Sequence, residues 1–206
     1  MKSILFTMVV LSILATSAFS APEPAIIQNA GQWTADIKFE PLRQLVYQPT
    51  ETAKPRRFWY SIITIENRTG QDIGFFPKCD LMTDTFQILP AGKLVPKEVF
   101  SRLKQRHKRK YPLLQYLPKV KSQILQGEDN AIDVAIVWSD IKPEAKEVKL
   151  YIAGLSNETT AVDLPNGKNA AIYLRKTLEL KFHLKGESVW RTDSDIQFKG
   201  KRWVMR

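Results

Sequence analysis

Seven Lys and Arg side chains fall between Lys97 and Lys110, namely Lys97, Arg102, Lys104, Arg106, Lys108, Arg109 and Lys110, and only Glu98 opposes them. Such a cluster does electrostatic chemistry. It attracts lipid headgroups, envelope polymers, acidic proteins or nucleic acid, and each cation is worth about 1 kcal/mol beside an anionic membrane. Groups for acid–base work are sparse. Of the two histidines, His107 lies inside the basic cluster, whose field lowers its pKa, and His183 occupies the polar parity of an alternating run. Asp80 and Asp84, four residues apart, together with His183 could form a loop site for a hydrolase or accessory enzyme. Glu128, Asp129 and Asp133 could present oxygens to a hard cation in a loop. Both acidic sets also suit solvated turns, where Asp is favoured. No Cys/His spacing fits a zinc site, and no nucleophile-elbow sequence occurs. The expectation is a non-enzymatic chain without metal or cofactor, whose candidate site is the seven-cation cluster.

The elements that must position these groups follow from periodicity. Pro96 can start a helix, Glu98 lies in its first turn, and Val99, Phe100 and Leu103 share one side. Cations crowd the C-terminal end, where a helix dipole favours them, and Pro112 follows. The spacing predicts a short amphipathic basic helix over 96–110, docked through its few apolar residues, which are too few for strong membrane insertion. Elsewhere the chain reads as strands. Phe58–Asn67 places Tyr60, Ile62, Thr64 and Glu66 on one face and mostly Trp59, Ile63 and Ile65 on the other. Ile73–Phe76, Leu81–Leu89, Val134–Trp138, Val148–Leu155, Ile172–Leu174 and Lys176–Leu184 continue the pattern. Leu178, Leu180, Phe182 and Leu184 alternate with Thr177, Glu179, Lys181 and His183, which predicts a half-buried strand. Turn signals stand at Gly70, Pro90, Pro143, Asn166-Gly167 and Gly186. Helices and strands do not alternate, so the predicted fold class is mainly β, an antiparallel immunoglobulin-like β-sandwich with one inserted helix. Trp138, Trp190 and Trp203 are expected in core or edge packing. The sequons at Asn67 and Asn157 are read as turn chemistry.

The chain's first twenty residues set the compartment. Lys2, the apolar run Ile4–Ala15 and Ala18-Phe19-Ser20 form a secretory signal peptide, too short to span a bilayer. Residues 21–57 then form an extended segment with the first strand or strands, of which Ala21–Thr50 could exchange a strand with another chain, and 58–206 form the sandwich domain. The composition is 44% hydrophobic, close to globular norms, and no second long apolar run follows. The formal charge of +10 loses only Lys2 with the leader. In an exported chain nucleic acid is the least available anion, so none is expected as a partner. Cys79 is the sole cysteine, which excludes an internal disulfide and leaves a buried core residue or a free thiol. No cysteine sits at the cleavage site, so lipid anchoring is not expected.

One further pattern spans the C-terminal half. Asp133-Val134-Ala135-Ile136-Val137-Trp138 is followed by Asp140, Pro143 and Ala145, then by Val148–Asn157, which ends Gly-Leu-Ser-Asn. Arg175–Leu180 carries Lys-Thr-Leu, and Trp203-Val204-Met205-Arg206 closes the chain. Residues 58–206 thereby resemble uncharacterised exported proteins of planctomycete-type bacteria. The resemblance implies a secreted sandwich-type domain and carries over no catalytic residue. The expected function is a periplasmic or secreted binding or structural module, held by its basic helix to an anionic envelope component or an acidic protein.

Overall fold

The computed structural model describes residues 31–163 and 171–206. The leader at 1–20 and the turn at Asn166-Gly167 lie outside them. Strands β1 (Asp36–Phe39), β2 (Arg43–Tyr47) and β3 (Arg56–Asn67) precede β4 (Ile73–Gly74), β5 (Lys78–Thr83) and β6 (Ile88–Pro90). The helix α1 (Lys97–His107) leads to β7 (Gln115–Tyr116), β8 (Gln123–Ile124), β9 (Gly127–Ser139), β10 (Glu147–Ala153), β11 (Thr159–Asp163), β12 (Ala171–Leu184) and β13 (Ile196–Met205). The protein is mainly β, with largely antiparallel sheets and, among the described residues, one α-helix, as its patterning predicts.

β3 is the centre of the first sheet because it has apolar residues at both parities. Such a strand must be covered on both faces. Trp59, Ile63 and Ile65 enter the core shared with the second sheet, while Phe58, Tyr60 and Ile62 enter a separate cluster under α1. β9 pairs along one edge of β3, and β7 runs parallel to β9. β1 and β2 share the other edge, interrupted at Glu40-Pro41-Leu42. Pro41 has no N–H for the ladder, so a break there costs little. Glu40 still donates its N–H to Ile62 at 2.8 Å, and Ser61 Oγ donates to the Glu40 carbonyl at 2.8 Å. The segment read as extended, from residue 31 on, is thus partly consumed within its own chain.

The second sheet has the order β11-β12-β10-β5-β6, with β13 also on β12. Its inner face supplies Cys79, Leu81, Val148, Leu150, Ile152, Leu178, Leu180 and Phe182 to the core, opposite Ile63, Val134, Ile136 and Trp138. Cys79 is therefore a core residue, and burial raises its thiol pKa far above the ordinary range.

Four details differ from the sequence reading. Leu81–Leu89 is a hairpin, not one strand: Thr83 Oγ1 accepts from Gln87 N at 3.2 Å and bonds Thr85 Oγ1 at 2.8 Å, and Phe86 adopts φ 60. Hydroxyl bonds to the nearby backbone compete with the ladder there. Of Ile73–Phe76, only Ile73 and Gly74 pair. Ile172–Leu174 and Lys176–Leu184 fuse into β12. Trp190 is not in the core but 79% exposed, on a turn closed by its N–H to Glu187. Trp138 is buried and Trp203 packs at the core's margin. Asn67 acts as turn chemistry: its buried amide donates to Gln71 and Ile124 carbonyls, and its oxygen accepts from Thr69.

Candidate functional site

α1 lies on the outer face of the first sheet. Pro96, extended at ψ 147, precedes its first turn, and Val99 donates to the Pro96 carbonyl. Val99 and Leu103, one turn apart and both fully buried, meet Phe58, Tyr60, Ile62, Ala135 and Val137. Phe100 stacks on Tyr116 with ring centroids 4.9 Å apart. The helix ends at His107, and the chain turns through Tyr111 before Pro112. All of the helix's apolar residues are thus spent on docking.

The same packing divides the seven predicted cations. Arg102 lies 5.0 Å from the Tyr47 ring centroid, a cation–π contact. Arg106 approaches Asp193 at 3.9 Å and the Gln44 carbonyl at 3.4 Å. Lys110 pairs with Glu40. These three hold the helix to the sheet. Lys97, Lys104, Lys108 and Arg109 are exposed and make no ion pair among the described residues. They form the free face of the predicted anion-binding cluster.

His107 shares a 3.0 Å hydrogen bond with Tyr60 Oη. Its pKa is lowered first by burial and then by Arg106 and Arg43, so the basic cluster is the smaller cause. Glu40, at the break between β1 and β2, receives Lys110 and Arg43 and accepts from Tyr111 Oη at 2.7 Å. Hydrogen bonds from Lys110 and Tyr111 hold its carboxyl below the ordinary 4.5. Lys110 is 66% exposed, so its pairing is largely screened, and the sheltered Tyr111 bond contributes more to stability. A carboxylate with a lowered folded pKa stabilises above its unfolded value, and that contribution is lost as pH falls through the folded value. Glu40→Gln is therefore expected to cost about 1.5 kcal/mol at neutral pH. Its deficit relative to wild type should shrink as acid unfolding is followed below pH 4.5. A deficit unchanged between neutral and acid conditions would contradict the clamp.

The acidic candidates are not assembled as a site. Asp80 lies opposite Tyr151 and His183 opposite Glu147. Four residues of β10 separate those positions, about 13 Å at strand rise. Asp84 does neighbour Glu147, but its carboxylate accepts from Lys146 N, while Glu147 pairs with Lys181 at 3.0 Å. His183 lines neither cleft of that sheet's outer face. Glu128, Asp129 and Asp133 belong to β9 rather than a loop, and Asp133 accepts from Thr64 Oγ1 at 2.7 Å. Strand alternation turns Glu128 and Asp129 to opposite faces, which overturns the reading of a loop that binds a hard cation. Among the described residues no group of three His, Cys, Asp or Glu is placed to hold a metal, and no helix is long and apolar enough to cross a membrane.

The outer face of the second sheet carries cations that the linear reading passed over. Arg202 grips Glu179 through two bonds of 2.7 and 3.1 Å, lowering the Glu179 pKa. Lys149 and Lys181 flank that pair, and Lys78, Arg175 and Arg206 line a cleft further along. These residues are scattered over four strands, so only the basic content of β12 and β13 hinted at them. No family model, curated protein or solved structure matches the chain.

Proposed function

We propose that this chain is an exported, non-enzymatic binding or structural module, periplasmic or secreted, built as an immunoglobulin-like β-sandwich. Its basic helix attaches it weakly to an anionic envelope polymer, lipid or acidic protein. The resemblance to exported proteins of planctomycete-type bacteria favours this reading, as do the two sheets around one core. The observation that carries it is the division of labour in α1. Val99 and Leu103 are committed to docking, whereas Lys97, Lys104, Lys108 and Arg109 are exposed and make no ion pair among the described residues. Lys97 and Lys104 on the helix and Lys108 and Arg109 in the turn that follows it are like charges that repel each other, and an anionic surface relieves that repulsion.

Raising salt from about 0.01 M to about 1 M shortens the screening length from about 30 Å to about 3 Å. Retention of the protein on immobilised dextran sulfate should fall steeply over that range. Replacing Lys97, Lys104, Lys108 and Arg109 with Gln should abolish retention with the thermal midpoint unchanged. Changing Arg106 and Lys110 instead should lower the midpoint only slightly, because their contacts to Asp193 and Glu40 are exposed and largely screened. Salt-independent retention, or retention by the fourfold Gln variant, refutes the attachment.

A further inference from the structure

The second sheet's outer face holds a cleft of about 350 Å³ bounded by Phe76, Lys78, Asp80, Tyr151, Tyr173 and Arg175, with Arg206 across it. That volume is at the small end of small-molecule sites, which combine aromatic walls with a few convergent polar groups. We propose that this cleft binds an acidic sugar, meaning a hydroxylated ring that bears a carboxylate or phosphate.

Three observations converge on that ligand. The first is a like-charge pair. Arg175 and Arg206 exchange backbone hydrogen bonds of 2.8 and 3.1 Å, so they stand directly opposite and share a sheet face. Like charges so placed destabilise a sheet, and Lys78 adds a third cationic side chain against Asp80, the one acidic side chain of the lining. Neither arginine has an ion pair among the described residues. An oxyanion between two planar guanidinium forks offsets that cost.

The second is pre-organisation. The Arg206 guanidinium lies 4.1 Å from the Tyr151 ring centroid. Tyr151 stands directly opposite Glu179 across the β10–β12 ladder, and Arg202 holds Glu179 through both carboxylate oxygens. The cation is therefore presented from a braced ring rather than from a free side chain.

The third is the wall. Phe76 and Tyr173 are 74% and 71% exposed, yet both border the cleft. Aromatic faces left open beside charged groups suit a ligand that is flat and weakly apolar on one side. Asp80 completes the site as an acceptor for a ring hydroxyl. The proposal does not depend on the helix, which lies on the other sheet.

Titration of the full-length protein by NMR with glucuronate, glucose 6-phosphate, glucose and inorganic phosphate tests the site. Both acidic sugars should bind, glucose should not, and inorganic phosphate should bind at least about tenfold more weakly than glucose 6-phosphate. A preference between the two acids identifies the head group. The double change Arg175→Gln with Arg206→Gln should weaken acid binding about tenfold or more. Its thermal midpoint should stay equal or rise, since the like-charge pair is gone. Tyr173→Ala should weaken the sugars but leave phosphate alone. The fourfold Gln variant of α1 should bind the acids unchanged. Absence of binding by both acids at millimolar concentration overturns the proposal. So does phosphate matching glucose 6-phosphate, or a double variant that loses stability yet keeps affinity.

Discussion

Leu103→Ala is expected to lower stability by about 3 kcal/mol, and the thermal midpoint by about 6–12 °C for a chain of this size. Leu103 is fully buried between α1 and the first sheet, among Tyr60, Ala135 and Val137. Its loss leaves a cavity in the cluster between α1 and the sheet, and of the helix's buried apolar contacts only Val99 and the partly buried Phe100 then remain. Hydrogen exchange should therefore accelerate in 97–107 more than in β10 and β12. Leu150→Ala, in the core between the sheets, should cost a similar amount but leave the helix amides as protected as the rest. Thermal unfolding and exchange on the two variants separate local undocking from global loss. Equal helix protection in both would mean that α1 is not held by this cluster. Undocking should also disperse Lys97, Lys104, Lys108 and Arg109, so retention on the polyanion should weaken although every cation remains.

Gly154→Ala is expected to cost about 2–4 kcal/mol in urea unfolding, whereas Gly186→Ala should cost only about 1 kcal/mol. Both glycines have positive φ, +91 and +65, so the left-handed penalty is common to them. The difference is steric. A Cβ on Gly154 would sit 2.8 Å from the Phe76 carbonyl oxygen and 3.0 Å from Pro77 Cα, but one on Gly186 meets nothing within 4 Å. Backbone, not a flexible side-chain tip, must move at Gly154. That movement carries Phe76, one wall of the cleft, so Gly154→Ala should also weaken acidic-sugar binding. Equal costs at the two positions would show that the approach of β10 to Phe76 relaxes freely.

Much of the fold is legible locally. Strand β12 follows from the strict alternation of Leu178, Leu180, Phe182 and Leu184, since period 2 matches a sheet with one buried face. Pro96, the spacing of Val99 and Leu103, and Pro112 bound the helix because they act within a turn or two. Misreadings occur where short-range polar competition beats hydrophobic pattern, as at Thr83 and Thr85, or where an aromatic falls on a turn, as at Trp190. The candidate site divides in the same way. That 97–110 is a basic helix is local information. That Arg106 and Lys110 meet acidic partners, while Lys104 and Arg109 have none among the described residues, depends on Asp193 and Glu40, which are remote in the chain.

The sequence by itself determined the β-rich class, the place and charge of the helix, the lack of an internal disulfide, and the strand faces wherever period 2 was clean. Those properties are set by neighbours a few bonds away. Tertiary structure alone decided that both faces of β3 are covered, that three of seven cations meet partners remote in the chain, and that Arg175 and Arg206 meet beside Tyr151. Periodicity says that a side chain is buried but not what buries it. Cross-strand register, which brings residues 31 positions apart in the chain into direct opposition, is settled only when the sheets pair and pack.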